Sequence, residues 1–110
     1  MIIDQKENIS IITQEKATIV ELVKKIEALY PKFKNHHIIV KLSALEQLNN
    51  DDICEFLRIS NIHRETKQSF VLVTNAINHN EITNKINLVP TINEAFDFIE
   101  MEDMERDLGL

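Results

Sequence analysis

Four small polar side chains in a row, Asn49, Asn50, Asp51 and Asp52, are the residues of this chain best placed to do chemistry. They stand directly before Ile53, Phe56 and Leu57, an apolar spacing that predicts a helix. Asn and Asp at such a position accept hydrogen bonds from the free N–H groups of a first helical turn and suit the positive end of its dipole. That capping alone favours these residue types by roughly 1 kcal/mol. Adjacent carboxylates allow a second chemistry, in which Asp51 and Asp52 act as a phospho-acceptor or as oxygen ligands for a small molecule or Mg2+. A phospho-acceptor belongs at the carboxyl end of a central strand, where this chain has Lys41 and Leu42, and its acids come only a loop later.

The other reactive residues are scattered. His36 and His37 are neighbours, so in a strand they point to opposite faces and cannot chelate one metal as a pair. Both are expected at the surface where a strand begins. His79 and Glu81 form an H-x-E in an Asn-rich stretch without the C-x-x-C that a zinc deaminase requires. Cys54 sits one turn into the expected helix with no His near it in sequence, which predicts a buried structural thiol. The single glycine, Gly109, excludes the glycine-rich loops that cradle phosphates and dinucleotides. No G-x-S-x-G, H-E-x-x-H or histidine cluster occurs either. The pattern therefore predicts a protein that is not an enzyme and calls for no metal and no cofactor.

Elements must position the Asn49–Asp52 knot, and the hydrophobic pattern supplies them. Ile2 and Ile3 followed by "ISIITQE" from Ile9 predict a hairpin. From Thr18, apolar residues at 19, 22, 23, 26, 29 and 30 follow helical spacing until Pro31 ends it. "HIIVKL" and "SFVLVTN" are continuous apolar runs of the kind buried on both faces of a sheet. Four Asn residues in "AINHNEITNKIN" leave room for at most one short helix there. "NLV" predicts an edge strand, and Thr91 with Glu94 forms a T-x-x-E capping box for a last helix. Strands alternating with helices at this interval predict an α/β mixed sheet of four to five strands with three to four helices.

A length of 110 residues is that of one domain, 1–110, and 44% apolar content argues against disorder. No run is long enough to span a membrane, and "MIIDQKENIS" lacks the apolar core of a secretory signal. With one cysteine, these features predict a soluble cytoplasmic protein. The net charge is −6, of which the stretch from Ile99 to Leu110 carries −4. No basic patch interleaved with aromatics occurs, so direct nucleic-acid binding is not expected. If the last helix continues past Ile99, Met101, Met104 and Leu108 fall on one stripe among acids. That extension, about 99–110, either packs back on the sheet or meets a partner or a second copy of the chain. The second alternative predicts that a cut after Ile99 leaves the domain folded.

The order strand, strand, helix, "IIVKLSALEQLNNDDICEFL", strand "FVLV" and "VPTINEAFDFIE" resembles the STAS family of anti-sigma factor antagonists, over nearly the whole chain. Leu42, Ser43, Leu45, Leu48, Ile53 and Leu57 match the apolar frame of that family's "LSGV.FIDSSGLG.LL" segment. The resemblance implies a STAS-like fold and a regulatory protein–protein interaction centred on this turn. Its phosphorylatable serine falls on Asp51, with Asn49, Asn50 and Asp52 at the neighbouring polar positions. All four differ from the family's residues, so the match carries position rather than chemistry. The partner implied is an anti-sigma kinase-like protein or another regulator. The C-terminal "VPTINEAFDFIEMEDMERDLG" is also similar to small STAS-like proteins found beside ribonuclease Z, which suggests an accessory role. The chain itself lacks the HxHxDH metal motif of that nuclease.

Overall fold

Ile38–Val40 and Phe70–Val73, the two continuous apolar runs, form the buried middle of a five-stranded mixed sheet. The computed structural model describes residues 1–15, 17–42, 48, 50–75 and 86–109. Its strands are β1 (Ile2–Lys6), β2 (Ile9–Thr13), β3 (His37–Lys41), β4 (Phe70–Val73) and β5 (Asn87–Val89), in the order β1-β2-β3-β4-β5. β1 and β2 make the expected antiparallel hairpin, Ile3 opposite Ile12. All later pairings are parallel, with Ile39 beside Ile11 and Val71. Glu7 in the hairpin turn has φ of 55°, a conformation that usually falls to glycine.

The helices are α1 (Ile19–Leu29), α2 (Asn50–Cys54), α3 (Leu57–Arg64) and α4 (Ile92–Asp107). Thr18 caps α1 by accepting from the Glu21 N–H, and Thr91 caps α4 by accepting from the Glu94 N–H, as the T-x-x-E spacing predicts. Because strand order follows chain order from β2 onward, right-handed crossovers place their helices on one face. α1, α2 and α3 occupy that face and bury Leu22, Ile26, Ile53, Phe56 and Ile59 against Ile12, Ile38, Val40, Phe70 and Leu72. α4 follows the last strand, so it is free to cross to the other face. There Ala95 and Ile99 cover Ile39, Val71 and Val73, with Ile92, Phe96 and Phe98 around them.

Two expectations need correction. The segment after the polar knot is not one helix, because the Phe56 N–H bonds back to the Ile53 carbonyl at 3.0 Å, a tighter turn than an α-helix makes. Ile53 and Phe56 are both fully buried in the core, while Leu57 is only half-buried. His37 is not a surface residue but is only 2% exposed. At 16 residues α4 runs about 24 Å, longer than the strands beneath it, and its last turns close over the start of β3. Asn49, His79, Glu81 and the Asn-rich connection lie outside the described residues.

Candidate functional site

α1, α2 and α4 all begin at the carboxyl edge of the parallel strands, which puts the polar knot at the same edge. β3 ends there with the Leu42 N–H donating to the Val73 carbonyl, and the chain re-emerges into α2. Asn50 and Asp51 are exposed, whereas Asp52 is half-buried. Asp51 looks across an open groove of about 590 Å3 formed between α1 and the α2–α3 pair. Val20, Val23 and Leu57 give the groove an apolar strip, and Lys24, Arg58, Glu27 and Glu55 line it with both charge signs. Cys54 also lines it and is half-buried, so the thiol expected to be enclosed lies at a groove wall. Such a surface can take an amphipathic segment in register, through apolar contact along the strip and charge pairing at the rim.

A second polar cluster, which the sequence reading did not assemble, lies at the opposite edge of the sheet. His63 on α3 is fully buried; its Nε2 lies 2.7 Å from the His36 carbonyl and its Nδ1 2.8 Å from the Tyr30 hydroxyl. A carbonyl can only accept, so Nε2 carries the hydrogen and Nδ1 accepts from Tyr30. Burial pushes the His63 pKa down to about 4, although the bond to His36 acts in the opposite direction. His36 itself faces the same side and pairs with the Ser10 hydroxyl at 3.0 Å.

His37 faces the other way, as adjacent strand residues must. Its Nδ1 accepts from the Ser69 backbone N–H at 2.8 Å, and Nε2 lies 3.1 Å from Asp103 on α4. Burial lowers the His37 pKa, and the charge of Asp103 opposes that shift. Ser69, His37 and Asp103 are the residue types of a hydrolytic triad, but their geometry differs from one. The Ser69 hydroxyl donates to Glu102 at 2.6 Å and accepts from Arg106 at 3.2 Å, and Ser69 is fully buried, so His37 does not activate it. The cluster clamps the end of α4 to the starts of β3 and β4. One signal for it was present in the sequence: His63 continues the Phe56, Ile59, Ser60 spacing that faces the core.

Met101, Met104 and Leu108 share the outer side of α4 and are 55%, 60% and 71% exposed. They do not pack on the sheet; Glu102, Asp103 and Arg106 take that role beyond Ile99. Among the described residues, no three His, Cys, Asp or Glu side chains converge as metal ligands. No described helix is long and apolar enough to cross a membrane. The sequence matches no family model and no curated protein.

Proposed function

We propose that this chain is a non-enzymatic, STAS-like regulatory module that binds a partner protein through the Asn50–Asp52 turn and the α1–α3 groove. The observation that carries the reading is the position of Asp51. It is exposed at the start of the helix that follows the central parallel strand, and it lines a groove with an apolar strip and a charged rim. The leading antiparallel hairpin and the parallel strands in chain order support the reading, because they are the frame that the resemblance calls for. A phosphoserine adds about −1.5 to −2 charges at pH 7, whereas an aspartate holds about −1 permanently. The surface would therefore stay in one charge state, with no serine kinase acting at that position. Its partner would be an anti-sigma kinase-like protein or another regulator, in a cytoplasmic setting suited to the free thiol of Cys54.

Affinity capture from the native host with the wild-type chain, an Asp51→Lys/Arg58→Glu double variant and a Met104→Glu variant tests the reading. All three should show the same far-UV circular dichroism, because the altered side chains are exposed. A partner held by the wild type and by Met104→Glu should be lost with the double variant, or bound at least about tenfold more weakly. Unchanged capture by the double variant would overturn the reading.

A further inference from the structure

α4 separates its residues into two arcs of different character. Inward lie Ile92, Ala95, Phe96 and Ile99, then Glu102, Asp103 and Arg106, which bond to Ser69 and His37. Outward lie Met101, Met104 and Leu108 at i, i+3 and i+7, with Asp97, Glu100 and Glu105 exposed around them. Arg106 is the only cation on α4, and it is held inward by Asp103 and Glu102 at 3.1 and 3.5 Å. Seven acids against that one cation give α4 the entire formal charge of −6, so the rest of the chain balances to zero.

The outward acids do not stabilise the helix itself. Like charges at i, i+3 spacing, as in Asp97 and Glu100, weaken a helix, and Glu105 and Asp107 stand at the negative end of its dipole. Three large apolar side chains left in water likewise do nothing for the core beneath, which Ala95 and Ile99 already cover. Both features become favourable when a cationic apolar surface covers them. We infer that the outward face of α4 across residues 97–108 docks an amphipathic segment of a partner protein whose apolar side chains are flanked by Lys or Arg. A second copy of this chain fits the face poorly. Two α4 faces would set acid against acid. The large apolar residues exposed elsewhere among the described residues are Val20 on α1, Ile62 on α3, and Ile2 and Ile3 on β1, which as strand neighbours point to opposite faces and form no stripe. The face lies across the sheet from the groove, so it stands independently of the reading given above for Asp51.

The test uses the full chain and two model peptides of identical Leu and Lys composition, one ordered to form an amphipathic helix and one scrambled. The chain has three methionines, Met1, Met101 and Met104, so their methyl NMR signals report directly on the face. The amphipathic peptide should bind at least about tenfold more tightly than the scrambled one and shift the signals of Met101 and Met104. Met104→Ser/Leu108→Ser, which alters exposed side chains only, should bring the two peptides to equal affinity while leaving the circular dichroism unchanged. Equal binding of both peptides by the wild type would reduce the effect to diffuse charge attraction and overturn the proposal. Self-association of the wild type in sedimentation equilibrium, abolished by the same double substitution, would also overturn it by assigning the face to a second copy.

Discussion

At the scale of single residues, His63 holds the most consequential bonds, because protonating its Nδ1 removes the acceptor that Tyr30 uses. In the unfolded chain an exposed histidine takes up its proton near pH 6.5, whereas the folded protein resists until about pH 4. Between those values the unfolded state binds more protons, so stability is fully present above pH 6.5 and falls as the pH drops toward 4. The expected loss between pH 7.5 and 5 is roughly 2 kcal/mol, measurable by urea denaturation at the two pH values. His63→Gln should be less stable at pH 7.5 and should show a flatter pH dependence. An equally steep loss in that variant would assign the effect elsewhere. His37, whose pKa burial also lowers, contributes in the same direction. None of this was legible from histidine content alone. His63 and His36 are 27 residues apart, and His37 and Asp103 are 66 apart, so only the folded sheet brings each pair together.

At the scale of elements, sequence patterns worked where a single local rule decides the outcome. Thr91 and Glu94 mark the start of α4, and the β-branched run at Ile38–Val40 marks a buried strand. The division of the expected helix into α2 and α3 is instead a backbone event, the Phe56 N–H turning back to the Ile53 carbonyl, which side-chain periodicity does not encode because Ile53 and Phe56 share a face with or without it. The far end of α4 shows the same limit. The Met101, Met104 and Leu108 spacing was legible, but not the fact that Glu102, Asp103 and Arg106 hold the opposite side. A chain cut after Ile99 therefore loses more than an outer stripe. It strips hydrogen-bond partners from Ser69 and His37, at a cost of about 2–4 kcal/mol. Chemical denaturation should show the truncated chain still folding cooperatively but with a midpoint well below that of the full chain. An unchanged midpoint would mean that the clamp contributes nothing.

At the scale of the whole molecule, one sheet separates two apolar clusters of unequal size. Among the described residues, α1, α2 and α3 lie with the larger cluster on one side, and α4 with the smaller cluster lies on the other. Native-state hydrogen exchange should therefore find that α4 opens as a unit at a lower free energy than the β3–β4 pair. Simultaneous exchange of both at the global free energy would show that the clusters are one cooperative unit. The strand order adds a consequence for how the protein is made. Each strand pairs with the one synthesised just before it, so the sheet can grow outward from the ribosome as the chain emerges. Ile39, Val71 and Val73 must nevertheless wait for α4, which is translated after all five strands of the sheet. Until it docks, the nascent chain presents a half-covered apolar sheet. Any pause in translation before α4 lengthens that exposure and with it the chance that two such faces meet.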